Sequence, residues 1–275
     1  MSPSWRNRLF ISISPERICL LGLERGLKPK LQAKLDEAIV PSDKKPSWQA
    51  TLDRLTQILS QPAWRNAEVN IVLSNRLVRY ATIVFGAQLQ NYPVQEAFAR
   101  HYLTRVYGTA TEQLELRIQG GKAGSHRLVS AVDRALLEGL RQVCAANKLE
   151  LRWVAPYLMP VFNYYYKAIK SDPAWLVINE PGYSLFALLS GGEIVSVNGV
   201  CHDRIDELPM LLDRENLAGS LAEPCKFVYL LAPSGGDLPT VQNRGYEFSK
   251  LDRVVPDGFP SSEDGMYAMA LSGVL

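Results

Sequence analysis

The same order of predicted elements occurs twice along this chain of 275 residues. Three strands linked by tight turns are followed by a helix and a further strand, first from residue 8 and again from residue 174. The repeat is one of element order and has no sequence identity behind it. A strand meander that leads into a helix and another strand gives a mixed sheet, so two such units predict an α/β protein with two lobes that face a cleft.

Hydrophobic periodicity and turn residues locate the elements of each half. In the first half we predict strands at about 8–14, 17–23 and 30–40, a helix from Ser47 and strands at 68–73 and 79–85. In the second half we predict strands at about 174–179, 183–189 and 194–200, a helix over 204–217 and a strand at 226–231.

The residues between the two repeats do not follow the repeated order of elements. Val94, Phe98, Tyr102 and Val106 have helical spacing, and Ser130 is predicted to cap a later helix with Asp133 at the capping-box position. We therefore predict a first lobe over residues 1–170, with an inserted subdomain at about 86–128, and a second lobe over residues 171–275.

Composition excludes some classes of protein without identifying one. Hydrophobic residues make up 47% of the chain and charged residues 21%, which is typical of folded proteins and not of disordered ones. A formal net charge of +2 lacks the basic excess of a dedicated nucleic-acid binder, so no nucleic-acid partner is expected. No signal-peptide pattern and no spanning apolar stretch of roughly 18 residues occurs, which predicts a cytoplasmic protein without a direct membrane span.

The cysteines predict no metal site. Cys19, Cys144, Cys201 and Cys225 lie far apart, without the CxxC spacing of a zinc ligand pair. The three histidines of the chain supply no second pair. We expect small buried hydrophobic side chains in a reducing compartment.

Residues 71–81 carry the most specific local resemblance. Their sequence, Ile-Val-Leu-Ser-Asn-Arg-Leu-Val-Arg-Tyr-Ala, is similar to a "strand, Ser/Ala-Asn/Asp-Arg, apolar, Val-Arg-Tyr/His" segment of secretion-type members of the actin-like ATPase superfamily. With the duplicated element order, the chain resembles degenerate members of that superfamily, the PilM proteins of type IV pilus assembly and the cytoplasmic region of the GspL proteins of type II secretion. The resemblance implies two ribonuclease-H-like lobes, each with a mixed sheet, facing a cleft.

The resemblance also implies where nucleotide would bind in the first half. An active first hairpin needs an aspartate at the end of its first strand to hold hydrated magnesium, and a glycine two residues on so that backbone amides reach phosphate. Ser12 and Ser14 stand at these positions, and Pro15 removes an N–H from the turn. We expect this hairpin to have lost its nucleotide chemistry.

The second hairpin should carry Asp-x-Gly by the same resemblance. The chain has Asn179-Glu180-Pro181-Gly182 instead, in which Asn179 is neutral and Gly182 comes one residue late. Pro181 again lacks an N–H. Glu180 is an alternative carboxylate for magnesium.

Two further segments resemble family motifs. Ser234, Gly235 and Gly236 resemble the strand-to-helix glycine pair that lets backbone pass close to adenosine; the alternative is a Gly-Gly turn that starts a helix at Asp237. Residues 267–273 resemble the small-residue segment that ends these proteins, and otherwise indicate a packed helix.

Other polar groups have alternative interpretations. His202 and Asp203 could be an acid/base pair, although Asp203 as a helix N-cap is favoured. Arg76 and Arg79 are expected on one side of a strand, if that strand begins by Arg76, where they would steer an acidic peptide; the alternative is a solvated strand face.

Because two of three nucleotide motifs have lost their chemistry, the resemblance implies a non-catalytic cytoplasmic scaffold of a type IV pilus or type II secretion-like assembly. No catalytic residue and no cofactor are expected, with weak ATP binding left open. The expected partner is a PilN-like bitopic inner-membrane protein, with the assembly ATPase as a further candidate. The protein would lie at the inner membrane through that partner. The alternative is an active ATPase or small-molecule kinase of the superfamily that uses Glu180 for magnesium.

Overall fold

A computed structural model describes residues 7–24, 30–40, 46–86, 89, 91–219, 221, 223–232, 244–252 and 265–274. The strands of this part of the chain are β1 (Asn7–Ser14), β2 (Arg17–Leu23), β3 (Leu31–Ala38), β4 (Ala67–Leu73), β5 (Val78–Val84), β6 (Leu114–Ile118), β7 (His126–Asp133), β8 (Glu150–Pro156), β9 (Ala174–Glu180), β10 (Tyr183–Ser190), β11 (Glu193–Cys201), β12 (Phe227–Leu231) and β13 (Glu247–Lys250). The helices are α1 (Gln49–Leu59), α2 (Tyr92–Tyr107), α3 (Arg134–Ala146), α4 (Leu158–Tyr165), α5 (Leu208–Ala218) and α6 (Ala268–Ser272).

Two five-stranded sheets have the same topology. Their strand orders are β3-β2-β1-β4-β8 and β11-β10-β9-β12-β13. In each sheet the first three strands of the repeat pair antiparallel, and the two later strands add in parallel. The predicted duplicated order, with a mixed sheet in each copy, is therefore confirmed.

The first compact unit comprises Met1–Val78, Asp133–Tyr164 and Arg253–Leu275. Strand β1 is buried on both sides, because Ile11 and Phe10 point to opposite faces of the sheet and both are almost fully buried. Helix α6 packs on the Phe10 side, where Leu271 joins the same apolar cluster. A strand covered on both faces reads as a continuous apolar run, which explains the Leu-Phe-Ile-Ser-Ile sequence of β1.

The second compact unit comprises Arg79–Val132 and Tyr165–Asp252. Its larger core joins Trp175 and Phe186 of the sheet to Leu212 of α5. The Trp175 and Phe186 rings meet edge to face, with their centroids 6.5 Å apart. This core is built by the second copy of the repeat.

A three-stranded sheet of order β5-β7-β6 also belongs to the second unit. Helix α2 covers it, and Ala99 and Leu103 are fully buried against the strands. The prediction that Ser130 caps a helix was wrong, since Ser130 lies within β7. Helix α3 begins four residues later, and the Asp133 carboxylate caps it by accepting a hydrogen bond from the Ala135 N–H. Pairing of β7 in the sheet competes with helix formation before residue 133.

The two compact units differ in their bounds from the predicted lobes 1–170 and 171–275. The division into those lobes stays a prediction. The residues of the proposed insertion, about 86–128, group with the second sheet, and the C-terminal helix α6 groups with the first.

No helix among the described residues is long and apolar enough to cross a membrane. All four cysteines are free thiols, and three are buried as expected. Cys201 is exposed, which corrects the expectation for that residue. The reason is its place at the end of β11, the outermost strand of its sheet.

Candidate functional site

Ser12, the first candidate residue, and the Cys19 thiol opposite it are both uncharged. Ser12 is buried in β1 and lies directly opposite Cys19 of β2. The Cys19 thiol is 3.2 Å from Asp36 Oδ1 and 3.2 Å from the Met266 carbonyl oxygen, and its single proton is shared between these two acceptors. Burial raises the pKa of Cys19 to about 12, and Asp36 adds to the rise, so the thiol stays protonated. A hydroxyl beside a neutral thiol supplies no negative charge for a hydrated magnesium ion.

Asp36 of β3 lies opposite Cys19 in the strand register, and its carboxylate is already engaged. Its Oδ2 lies 3.1 Å from Arg17 Nη1, while its Oδ1 accepts from Cys19. The residues at this position therefore do not fit a magnesium site.

The carbonyl oxygens of the turn after Ser12 are engaged by a buried side chain. Thr51 Oγ1 lies 3.0 Å from the Ser14 carbonyl oxygen and 3.2 Å from that of Pro15, and its single proton is shared between them. The Ser14 hydroxyl donates to the Arg17 carbonyl. Glu16 adds a carboxylate at the tip of the turn, 2.9 Å from Arg76 Nη1. Because Arg76 balances the Glu16 charge, what counts against phosphate binding at this hairpin is the N–H that Pro15 lacks.

The second hairpin turns tightly at Pro181 and Gly182. Glu180 pairs with Tyr183 across the turn, which leaves two residues between the strands. Gly182 has a φ of +67°, which a side chain would strain, and Pro181 precedes it. Proline followed by a glycine of positive φ is the combination that a type II turn requires. The geometry of the turn accounts for Gly182 without a phosphate.

Asn179 belongs to a partly buried polar network. The Ser184 hydroxyl donates to Asn179 Oδ1 at 2.9 Å and lies 2.8 Å from His202 Nε2. A hydroxyl has a single proton, so a neutral His202 that bonds Ser184 must donate from Nε2. Ser184 is fully buried. The amide oxygen of Asn179, where the resemblance led us to expect an aspartate, is thus occupied by an internal contact.

We expect the stability of this protein to fall as the pH drops below about 6.5, in part because of His202. Burial lowers the pKa of His202, so folding favours the neutral ring. A group whose pKa is lowered by folding contributes stability above its ordinary pKa. That contribution is lost as the pH falls from the ordinary pKa to the lowered pKa of the folded state. Urea unfolding of the native chain and of His202→Gln, at pH 7.5 and 5.5, measures the effect. The substitution keeps an N–H donor for Ser184, and an equal pH loss in both proteins would contradict the expectation.

Glu180 is a buried carboxylate beside two phenols. Its side chain is 4% exposed. After burial, which is the main cause, the Glu180 charge raises the pKa of Tyr80 and of Tyr183. No group of three or more His, Cys, Asp or Glu side chains within the described ranges could hold a metal ion. Magnesium keeps several waters and needs an accessible carboxylate, and Glu180 at this depth does not offer one.

Two expectations have simple outcomes. Ser234, Gly235 and Gly236 lie outside the described residues. Asp203 is not a helix N-cap: a short 3-10 turn begins at Ile205, and α5 begins at Leu208 without a side-chain cap. His202 contacts Ser184 instead of forming an acid/base pair with Asp203.

The Ser74-Asn75-Arg76 segment has a structural role at each residue. Ser74 Oγ accepts from the Arg76 N–H and caps a 3-10 turn over Asn75–Leu77. Asn75 is fully buried, and its Oδ1 accepts from the Leu158 N–H at the start of α4. The side chain of Arg76 pairs with Glu16. The residues of the segment that resembles secretion-type proteins thus stabilise the first unit.

Arg76 and Arg79 do not share a strand, because β5 begins only at Val78. This corrects the expected strand placement. Arg79 is exposed, and its guanidinium carbon lies 5.7 Å from the centre of the Tyr107 ring. A peptide-binding role for either residue stays a prediction.

Sequence reasoning missed Thr51, Ser184 and Asp36 as residues that shape the hairpins. Each acts on a residue at least five positions away, across a strand pair or from a helix. The one available signal was a polar residue inside an otherwise apolar run, which describes Ser184 in β10.

No protein-family model and no curated protein matches this sequence. Solved structures do share its fold. The PilM–PilN type IV pilus biogenesis complex aligns with a TM-score of 0.66 and 14% identity, over 98% of both chains. The cytoplasmic domain of EpsL, an inner-membrane component of the type II secretion system of Vibrio cholerae, aligns with a TM-score of 0.57 and 13% identity, over 98% of this chain and 94% of that one.

A third similar structure is described as having an actin-like ATPase fold. A Bacteroides thetaiotaomicron protein of unknown function with an actin-like ATPase fold aligns with a TM-score of 0.59 and 12% identity, over 96% of this chain and 95% of that one. The chain therefore has the actin-like ATPase fold, and the structural resemblance to PilM and to the type II secretion component is confirmed.

Proposed function

We propose that this chain is a non-catalytic scaffold of a type IV pilus or type II secretion-like inner-membrane assembly. It acts in the cytoplasm, at the inner membrane, by binding the cytoplasmic tail of a bitopic membrane protein similar to PilN. The assembly ATPase is a second expected partner.

The observation that carries the proposal is the whole-chain likeness to two structures from such machines. The chain aligns over 98% of its length with a PilM–PilN complex and with the EpsL cytoplasmic domain. One of these is solved with its partner PilN, and the other is described as part of an inner-membrane component. A protein that keeps this fold over its full length is suited to the same kind of assembly role.

The chemistry of the hairpins supports the non-catalytic part. Ser12 and Asn179 are neutral where magnesium needs carboxylate help, and Asn179 is occupied by Ser184. Pro15 and Pro181 lack the N–H groups that would cradle phosphate. Each hairpin is stabilised by its own contacts and needs no nucleotide.

The first sheet offers places for a tail. It ends in β3 on one side and in β8 on the other. An outer strand can accept an extended segment by main-chain hydrogen bonds, with apolar side chains as anchors. We expect the membrane protein's tail to bind at such an edge or at a groove of the first half.

The Glu180 carboxylate is the basis of an alternative function, an active enzyme. Glu180 stands at the second hairpin, where an active ATPase or small-molecule kinase of this superfamily would need a magnesium ligand. That function requires Glu180 to gain access to solvent and to nucleotide phosphate.

Affinity purification tests the scaffold. The full chain, tagged and mildly cross-linked in cells where the machine is assembled, should recover a one-span inner-membrane protein. Cells that lack the machine are the control, and they should yield no such protein. Recovery of no envelope-machine protein from assembled cells would contradict the proposal.

A further inference from the structure

Helix α2 carries a row of exposed apolar side chains, which we call the α2 stripe. Val94, Phe98, Tyr102 and Val106 are 47%, 42%, 41% and 57% exposed. The adjacent side of the helix, through Ala99 and Leu103, already fixes α2 on its sheet. Apolar residues four apart form a continuous ridge along one side of a helix. The fold therefore leaves a half-exposed apolar ridge along α2.

Contacts with neighbouring side chains hold the α2 stripe in place. The Phe98 ring meets the buried Phe85 ring edge to face, with their centroids 6.0 Å apart. The Arg127 guanidinium lies over the same Phe85 ring, 5.4 Å from its centre, and donates to Gln95 Oε1 of α2. A ridge held in this way is pre-organised for docking, because little side-chain freedom is lost on binding.

The surroundings of the stripe are basic. Residues 79–132 contain six Lys or Arg and three Asp or Glu, although the whole chain is nearly balanced at 30 and 28. Arg105 lies three residues after Tyr102, on the stripe side of the helix, and is exposed. Arg79, Arg105 and Arg127 have no ion pair to a carboxylate within the described part of the chain. The carboxylate on α2, Glu96, is paired with Arg100.

We propose that the α2 stripe binds an acidic amphipathic helix of another protein. The apolar ridge of that helix would pack against Val94, Phe98, Tyr102 and Val106, and its flanking carboxylates would face Arg105 and the nearby guanidinium groups. The 16 residues of α2 span about 24 Å, enough for several turns of helix-on-helix contact. This partner is additional to the membrane-protein tail and does not depend on it.

The basic charge around the stripe and the partial burial of its side chains favour an acidic helix over a second copy of the chain or a bilayer surface. A second copy of the chain would bring a second basic face against the first, which like-charge repulsion disfavours. A bilayer surface favours apolar side chains that protrude and insert, whereas those of the stripe are about half covered by their neighbours. Ridge-and-groove packing of two helices suits half-covered side chains.

Photo-cross-linking in cells tests the proposal. A cross-linking amino acid replaces Val106 in the full-length chain, and in a control chain it replaces Leu217, which is 88% exposed on α5. We expect an adduct from position 106, absent from position 217, whose cross-linked segment has apolar residues three to four apart and an excess of Asp and Glu. Arg105→Glu should lower the yield about fivefold, and Arg105→Lys should leave it within about twofold.

Several results would overturn this inference: no adduct, the same adduct from position 217, an adduct with lipid or with a second copy of the chain, or a segment without acidic excess. Circular dichroism of Arg105→Glu confirms that the exposed substitution leaves the fold intact. Affinity purification can recover a one-span membrane protein whether or not position 106 cross-links, so the two proposals fail separately.

Discussion

Trp175→Ala lowers the free energy of unfolding of the second unit by about 3–5 kcal/mol. The Trp175 side chain is 1% exposed in the core of the second sheet, so its removal leaves a cavity lined by Phe186 and its neighbours. The indole N–H also donates to Asn216 Oδ1 at 3.2 Å. Both the lost burial and the lost hydrogen bond destabilise the same core.

Urea denaturation followed by far-ultraviolet circular dichroism measures this effect. Trp175→Phe, which keeps most of the volume but loses the N–H, should cost clearly less. Leu217→Ala is the surface control, because Leu217 is 88% exposed, and it should change stability by no more than about 0.5 kcal/mol. A cost of Trp175→Ala within that control range would refute the described core.

Leu271→Asp should make the Cys19 thiol react with an alkylating reagent about 100-fold faster. Leu271 is fully buried on the Phe10 face of the first sheet, and Cys19 lies in the same apolar cluster. A carboxylate there has to reach water, which detaches α6 from the sheet. The Met266 carbonyl that now accepts from Cys19 precedes α6, so the thiol loses both its cover and its acceptor.

Mass spectrometry of alkylated protein at pH 8 gives this rate, in a Cys201→Ser background that removes the exposed thiol. In the native chain Cys19 should react very slowly, because burial raises its pKa to about 12. Met266→Asp is the matched control, since Met266 is 51% exposed just before the helix. Equal Cys19 rates in Leu271→Asp and Met266→Asp would show that α6 does not cover the thiol.

The order of elements along the chain could be predicted from sequence because its signals are local. Pro15–Glu16 and Pro181–Gly182 are turn residues between runs of β-forming residues, and they fix two hairpins without reference to the rest of the chain. Strand β7 was missed because Ser130 and Asp133 imitate a capping box. Whether residues 126–133 extend or coil depends on pairing with β5 and β6, which local sequence does not encode.

The site was predictable only in what it lacks. Ser12 and Asn179 are non-acidic where the resemblance predicts aspartates, and that much follows from the sequence alone. What occupies those positions depends on register and distant partners: Asn179 meets Ser184 across a hairpin, and His202 arrives from the end of β11. The Glu16–Arg76 ion pair joins residues 60 positions apart. Contacts of this kind arise from tertiary structure, so no spacing rule could indicate them.

Isothermal titration of the full chain with Mg-ATP tests whether this actin-like fold serves as a scaffold without nucleotide chemistry. We predict no heat of binding up to millimolar nucleotide, and no difference between the native chain and Glu180→Gln. Glu180→Gln keeps the size of the buried side chain and removes its charge. Micromolar binding to the native chain that disappears in Glu180→Gln would contradict the account and favour an active ATPase or kinase.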